Sequence, residues 1–494
     1  MKSWLQIHPN DNVAVALQDL PAGFFVEFGT VSFPLKEAVS RGHKFSLRLI
    51  ANGENVIKYG VTIGHATADI QCGYWVHTHN LKTNLSGQIN YEYHPVSFVQ
   101  KKQPSAVPFF QGYRRQDGNV GIRNELWVIP TVGCINEMAI QIAANYKIHS
   151  PNVDGPYVFT HPYGCSQLGD DHATTRRILA DLVRHPNAGG VLVVALGCEN
   201  NTLEEFQKEI GNYDPNRVKF LVAQQEKDEI ATGSHLLGEL EAFAATSKRT
   251  NIPVSELKIG LKCGGSDGLS GITANPLVGR CSDLLTSYGG ISVLTEVPEM
   301  FGAEISLMNR CENREIFNAC VSMINGFKEY FLKHGTVVYE NPSPGNKSGG
   351  ISTLEDKSLG CVQKGGDSIV KAVLNYGDTI QGHGLHLLSA PGNDVVASTA
   401  LTAAGCHLIL FTTGRGTPLG APVPTLKIST NSQLAQTKEN WIDFDAGCLL
   451  QEKSMETATK ALWQLILDTA SGKPAKNEIN HCRGIAIFKD GVTL

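Results

Sequence analysis

The sequence lacks the features that mark several common functional classes. Its 494 residues carry a formal net charge of −5 and contain no block of Lys and Arg, so nothing in it resembles a surface for nucleic acid or anionic membrane. No apolar run approaches the roughly 20 residues of a membrane span, and the first eight residues contain no apolar core of signal-peptide length. We therefore expect a cytoplasmic protein with no nucleic-acid partner and no membrane partner.

Short-spaced cofactor motifs are also missing. The 12 cysteines include no C-x-x-C pair, which argues against a zinc ribbon or a ferredoxin-type cluster. The glycine-rich segments 341–350 and 413–418 lack the P-loop and dinucleotide spacings, so no nucleotide cofactor is expected. In a reducing compartment the cysteines should be thiols or metal ligands rather than disulfides, although any single one can simply be a small buried side chain.

The chain is long enough for two or three domains. Short β-type segments separated by glycine turns, at 12–17, 55–60 and 74–80, predict a small β domain over residues 1–82. Residues 83–108 lose apolar periodicity and read as a linker that lets the two sides move. A middle α/β domain over 109–250 and a C-terminal α/β domain over 251–494 follow.

The remainder of the chain alternates buried β runs with helical patterns, which is typical of a parallel sheet with crossover helices. Helices are predicted at 174–185 and 456–470. The predicted strands are 126–131, 157–160, 191–196, 218–223, 257–261, 291–295, 385–389, 408–411 and 426–428. The fold class is therefore α/β with a mostly parallel sheet behind a small β domain.

Four predicted strands end in similar short sequence motifs, which contain Cys134, Cys165, Cys198 and Cys263. Because ligands bind outside the carboxyl ends of parallel strands, these loops could surround one crevice with thiols. The alternative is that small residues merely suit strand ends. Carboxylates and imidazoles also occur near these words, and a mixture with thiols favours iron. They are His161, Asp170, Asp171, His172, Glu199, Asp267, Glu296 and Glu299; the alternative for Asp170 and Asp171 is that they cap a helix.

Further candidates lie in the β domain and in the two glycine-rich segments. His77 and His79 stand at positions i and i+2 of a predicted strand, where both side chains share one face, and His43 lies in an earlier segment of the same domain. They could serve acid–base chemistry over a crevice that closes, or they could be hydrogen-bonded surface residues. Lys347 and Arg415 combine a cation with flexible backbone amides, which suits a carboxylate, although either loop could be structural.

Longer words give a family resemblance over essentially the whole chain. They include GNVGIRNEL (118–126), YGCSQLGDD (163–171), CGGSDGLSGITANP (263–276), NPSPGNK (341–347), LEDKSLG (354–360) and TTGRGTP (412–418). On these words the chain resembles the altronate/galactarate dehydratase family. The resemblance implies an N-terminal β-clip domain of the SAF type, a middle domain that dimerises, a Rossmann-like C-terminal domain without nucleotide, and a divalent metal, Fe2+ with Mn2+ as a substitute.

The forms at 76–80 and 163–171 resemble the altronate branch. The implied activity is dehydration of D-altronate to 2-dehydro-3-deoxy-D-gluconate in hexuronate catabolism, with a metal stabilising the enediolate while a base and an acid move protons. We assign the metal to Cys165, Cys198, Cys263 and Glu199; acid–base roles to His77, His79, His161 and His172; and substrate binding to His43, Lys347 and Arg415. Alternatives are a galactarate dehydratase, an iron–sulfur dehydratase, a nicotinamide dehydrogenase and a non-catalytic carbohydrate-binding protein.

Overall fold

A computed structural model describes residues 2–87, 89–96, 107–451 and 453–491. The N-terminal domain is antiparallel throughout, with a four-stranded sheet in the order β1-β2-β5-β8, a three-stranded sheet β6-β7-β9 and the hairpin β3-β4. Its strands are β1 (Trp4–Leu5), β2 (Val13–Ala16), β3 (Phe25–Phe28), β4 (Val31–Pro34), β5 (Lys44–Ser46), β6 (Asn55–Lys58), β7 (Val61–Ala66), β8 (Trp75–Val76) and β9 (Leu81–Lys82).

The middle domain is built on a four-stranded parallel sheet, β13-β12-β14-β15. All eight residues of β14 are buried, as expected for a parallel strand covered on both faces. Its elements are β10 (Phe109–Arg114), β11 (Val120–Gly121), β12 (Glu125–Pro130), α1 (Asn136–Asn145), β13 (Asp154–Val158), α2 (Gly169–Arg184), β14 (Ala188–Ala195), α3 (Leu203–Ile210), β15 (Val218–Val222), α4 (Glu229–Ala244) and β16 (Thr250–Pro253). Strands β10, β11 and β16 form a separate antiparallel sheet.

The C-terminal domain contains a seven-stranded parallel sheet in the order β19-β20-β18-β17-β21-β22-β23. Its strands are β17 (Lys258–Cys263), β18 (Ile291–Leu294), β19 (Val370–Leu374), β20 (Gly384–Leu388), β21 (Leu408–Thr413), β22 (Thr425–Ser429) and β23 (Phe444–Asp445). Its helices are α5 (Ala274–Ser287), α6 (Glu304–Met308), α7 (Arg314–Lys333), α8 (Pro344–Ser348), α9 (Leu354–Cys361), α10 (Asp394–Ala403), α11 (Ser432–Thr437), α12 (Met455–Ala470) and α13 (Lys476–Ile479).

The predicted α/β class with its parallel sheet is confirmed, and each of the nine predicted strands overlaps a strand of the structure. The predicted β segment 74–80 is wrong in its second half. Strand β8 stops at Val76, and residues 77–80 form a turn that is closed by the side chain of Asn80, whose Oδ1 accepts the N–H of His77 at 3.0 Å. His77 and His79 therefore do not share the face of a strand.

The N-terminal domain is held against the C-terminal domain by buried charge. Lys44 and Lys58 each reach the carboxylate of Asp356 on α9 at 2.8 Å, and all three side chains are essentially inaccessible to solvent. Part of the predicted linker, residues 88 and 97–106, lies outside the described residues. In its described part, Tyr93 donates to the carbonyl of Cys311 at 2.6 Å. Along the described ranges of the chain, no helix is both long and apolar enough to cross a bilayer.

Candidate active site

A cavity of about 610 Å³ lies where several strands of the seven-stranded sheet end. Strands β18 to β20 are added on one side of β17, and β21 to β23 are added on its other side. Such a reversal of strand order opens a crevice at the carboxyl edge of a parallel sheet. The lining comprises Cys263, Gly264, Gly265, Pro298, Glu299, Phe327, Tyr330, Phe331, Glu340, Asn341, Ser343, Asn346, Lys357, Pro391, Gly392, Asn393, Asp394, Val395 and Phe488.

Two thiols and a carboxylate meet at the inner end of this cavity. The thiol of Cys263, the last residue of β17, donates to Glu299 Oε2 at 2.9 Å, and the thiol of Cys361 at the end of α9 reaches the same oxygen at 3.2 Å. The two sulfur atoms are 3.4 Å apart. Within the described ranges, this is the one group of three or more His, Cys, Asp or Glu ligand atoms close enough together to hold a single metal ion.

A lysine balances the charge of this group from the other side. Lys357 Nζ lies 2.6 Å from Glu299 Oε1, which leaves Oε2 directed at the sulfur atoms. Burial alone would raise the pKa of Glu299, but the positive charges of Lys357 and Lys364 outweigh burial and hold that pKa below its usual range. Burial is the largest influence and would lower the pKa of Lys357, but Glu299, Cys361 and Cys263 together raise that pKa above its usual range, so the ammonium keeps its proton. Lys357 also donates to Asn341 Oδ1 at 3.0 Å and to Asn346 Oδ1 at 3.2 Å.

A second buried network fixes the rim. Glu296 adopts the left-handed backbone conformation with φ 72°, a strained state for a non-glycine residue that persists only where surrounding contacts enforce it. Its carboxylate accepts from Lys262 Nζ at 2.6 Å and from the backbone N–H of Cys263 at 2.9 Å. Lys262 also lies 2.8 Å from Asp394 Oδ1, and Asp394 has a side chain that is 36% exposed and faces the cavity. The network therefore positions one thiol and one accessible carboxylate together.

The N-terminal domain supports the loop that borders the cavity. His77 Nε2 donates to the carbonyl of Lys347 at 2.9 Å, and His43 Nε2 donates to the carbonyl of Ser348 at 3.3 Å. From the opposite side, Arg415 Nη1 donates to the carbonyl of Gly345 at 3.0 Å and to Ser348 Oγ at 2.7 Å. Three of the predicted substrate-binding or acid–base residues, His43, His77 and Arg415, thus contact α8, the helix that carries a further substrate-binding candidate, Lys347.

The structure separates the predicted metal ligands. Cys263 lies in the cavity, whereas Cys165, Cys198 and Glu199 follow strands of the four-stranded sheet and do not belong to the three-ligand group. Glu199 is occupied by its own loop, accepting from Thr131 Oγ1 at 2.6 Å and from the N–H of Gly197 at 2.6 Å. The reason for the separation is that the chain builds two parallel sheets, so similar strand-end words point to two different edges.

The four predicted acid–base histidines are outside the described lining of the cavity. His161 is buried and donates from Nε2 to the carbonyl of Pro130 at 2.8 Å. His172 Nε2 accepts from Arg176 at 2.8 Å. His79 is exposed, with its ring 4.9 Å from that of Trp75, and His77 contacts α8 as described. Their catalytic roles stay predictions.

Sequence reasoning named Glu299 only as one of several available carboxylates and missed Lys357, Cys361 and Asp394. All eight residues of α9 are buried although the helix reads LEDKSLGC. A helix with Glu, Asp and Lys in one turn is predicted to be solvent-exposed, so the composition of α9 gave no indication that it is buried. The one available signal was that LEDKSLG belongs to the words shared with the family.

Comparison with known proteins covers every part of the chain. Residues 2–84 match "Altronate/galactarate dehydratase SAF domain", residues 112–245 match "D-galactarate dehydratase/Altronate hydrolase, second domain", and residues 254–493 match "D-galactarate/Altronate dehydratase, C-terminal". The altronate dehydratase of Escherichia coli (strain K12) is 54% identical over 99% of this chain and 100% of its own length. That of Bacillus subtilis (strain 168) is 51% identical over the full length of both chains.

The galactarate dehydratase (L-threo-forming) of Escherichia coli (strain K12) is 33% identical over 95% of this chain and 93% of its own length. Identity of 54% and 51% to two altronate dehydratases over essentially the full length shows that the chain is a hydro-lyase. The chain belongs to the altronate/galactarate dehydratase family.

Proposed function

We propose that this protein dehydrates D-altronate to 2-dehydro-3-deoxy-D-gluconate and water. The observation that carries the proposal is identity of 54% and 51% to two altronate dehydratases over essentially the full length, against 33% to a galactarate dehydratase. A cavity of about 610 Å³ with polar groups at one end has room for a six-carbon acid.

The reaction removes the C2 proton and breaks the C3–O bond, and the C3 hydroxyl takes up a proton and leaves as water. The C2 proton is too weakly acidic to leave unless charge on the developing enediolate is stabilised. Asp394 is suited to the role of general base because it is an accessible carboxylate in the cavity. Its ion pair with Lys262, at 2.8 Å, fixes its orientation. Lys357 supplies a positive charge beside the place where negative charge develops, since Glu299, Cys361 and Cys263 together raise its pKa despite burial. The enol product then tautomerises to the 2-keto acid.

Cys263, Cys361 and Glu299 have the donor chemistry for the metal that the family resemblance implies. Two thiols and one carboxylate oxygen already converge within 4.8 Å of one another, and thiolate donors favour iron over manganese. When bound, Fe2+, or Mn2+ in its place, would supply Lewis acidity toward the substrate carboxylate and hydroxyl. A cytoplasmic location and a homodimer, both expected from the sequence, belong to the same proposal.

The test is an anaerobic assay of metal-free protein with altronate and galactarate, with Fe2+, Mn2+, Zn2+ or Mg2+ added separately and keto acid measured. We expect keto acid from altronate with Fe2+, a lower rate with Mn2+, and loss of activity by at least about 100-fold in Asp394→Asn, a range typical of removing a general base. Keto acid from galactarate but not altronate would overturn the substrate assignment. Binding of altronate without turnover under every metal would favour a non-catalytic carbohydrate-binding protein, and acid-labile sulfide with visible absorbance would favour an iron–sulfur enzyme.

A further inference from the structure

One side of the cavity is a continuous wall of aromatic rings. Helix α7 contributes Phe327, Tyr330 and Phe331, and Phe488 joins them from near the end of the chain. The ring of Phe488 lies 5.4 Å from that of Tyr330 and 6.2 Å from that of Phe327, measured between centroids. This surface offers apolar contact to the carbon-bound hydrogens of a substrate and no charge to a polar end.

The segment that carries Phe488 is fixed by hydrogen bonds at Phe488 itself and at residues that follow it. The Phe488 N–H donates to the hydroxyl of Tyr376 at 3.0 Å. Two residues further on, the N–H groups of Asp490 and Gly491 donate to the carboxylate of Asp171 at 2.8 and 2.7 Å. His334 at the end of α7 pairs with Asp490 at 2.6 Å. Phe488 is therefore a fixed part of the wall rather than a ring that happens to rest on it.

The polar residues that line the cavity include little positive charge. Among the described residues that line it, Lys357 is the sole cation, and Glu299, Glu340 and Asp394 are carboxylates. Lys357 is already paired with Glu299 at 2.6 Å. One substrate carboxylate can be matched by Lys357 together with a bound divalent cation. A second carboxylate held against the aromatic rings would lose its hydration without a further cation among the described lining residues.

We propose that the aromatic wall, completed by Phe488, makes the site select sugar acids with a single carboxylate and reject dicarboxylates. The inference rests on the proposed dehydration and adds the residues that determine its specificity. The six-carbon monocarboxylate extends its uncharged hydroxymethyl end along the wall, and its carboxylate occupies the end with Lys357 and Asn341. Rejection arises from the absence of a counter-charge at the wall and not from a lack of space, because the cavity measures about 610 Å³.

The experiment compares kcat/KM for galactarate and altronate in metal-loaded, full-length protein. Phe488→Arg should raise the galactarate-to-altronate ratio by at least about tenfold, because it places a guanidinium in the aromatic wall. Phe488→Leu keeps the wall apolar and should leave the ratio within about threefold of the unmodified protein. Phe25→Arg is the matched control, since Phe25 is 67% exposed on β3 and does not line the cavity.

Tyr330→Arg introduces the same charge from α7 and decides the matter if Phe488→Arg does not fold. An unchanged ratio in the folded arginine variant would overturn the inference, and so would a rise in Phe488→Leu equal to that in Phe488→Arg. In the unmodified protein, galactarate should inhibit altronate dehydration with a Ki at least about ten times the KM for altronate; equal values would also overturn it. Absence of altronate turnover in the unmodified protein is a different result, which overturns the proposed function itself.

Discussion

The two parallel sheets have similar sequence motifs where their strands end, but the environments of these motifs differ. At the edge of the seven-stranded sheet, Cys263 is 1% exposed and converges with Cys361 and Glu299. At the edge of the four-stranded sheet, Cys198 is exposed and Glu199 is engaged by its own loop. A cysteine at a strand end is therefore insufficient to mark a site. The first edge differs from the second in two ways. Another element supplies a second ligand, and buried lysines neutralise the carboxylates.

The sharpest test of this contrast exchanges one atom in each glutamate. In metal-free protein, Glu299→Gln leaves the buried Lys357 without its ion-pair partner, and we expect the free energy of unfolding to fall by about 3 kcal/mol or more. In metal-loaded protein, the same variant should lose dehydratase activity. Glu199→Gln removes hydrogen-bond acceptance from a loop and should cost about 1 to 3 kcal/mol with kcat/KM retained. Denaturant unfolding and the keto-acid assay measure the two effects. Loss of activity in Glu199→Gln despite a folded chain would show that the second edge takes part in catalysis.

Substitution of the cysteines at the two sheet edges tests which edge binds the metal. Cys263→Ser and Cys361→Ser should each weaken Fe2+ binding because a hydroxyl replaces a thiolate donor. The loss should be at least the roughly 10- to 100-fold that loss of an outer-shell partner costs. Cys198→Ser and Cys165→Ser are the controls from the other edge and should bind metal as the unmodified protein does. Metal content after equilibrium dialysis gives the measurement. Equal losses in the control variants would move the metal to the four-stranded sheet, as the sequence first suggested.

The smallest expected effect is at the contact between the N-terminal domain and α8. Burial, reinforced by the charge of Lys44, lowers the pKa of His77 to about 4, so the unfolded chain takes up a proton at higher pH than the folded chain does. The contribution of neutral His77 is complete above about pH 6.5 and is lost as the pH falls toward 4.

Between pH 7 and pH 5, the unmodified protein should therefore lose about 1 kcal/mol more stability than His77→Gln, after allowance for solvent screening. Unfolding curves at matched pH values measure the difference. His79→Gln, at an exposed neighbouring position, is the control. Parallel pH profiles for the unmodified protein and His77→Gln would contradict the expected burial of this imidazole.

Much of the fold could be predicted because continuous apolar runs such as β14 report burial on both faces directly. The site could be predicted only where its residues end strands, as Cys263 does. Cys361 and Lys357 lie on α9, whose polar composition predicts exposure, and only tertiary packing buries it. Phe488 lies 225 positions after Cys263 in the sequence, and no local pattern connects a single aromatic residue to a strand end at that separation.

The ion pairs of Lys44 and Lys58 with Asp356 have a consequence for how the polypeptide could be divided. If the chain were cut between residues 88 and 107, one fragment would carry the ammonium groups of Lys44 and Lys58, which are buried in the intact protein. The other fragment would carry Asp356 without the two lysines that neutralise its carboxylate. Each fragment would lack the counter-ions that the other fragment carries. A gene split at that point would accordingly yield two subunits that must reassociate to fold well, and the break would disturb Asp356, the direct chain neighbour of Lys357.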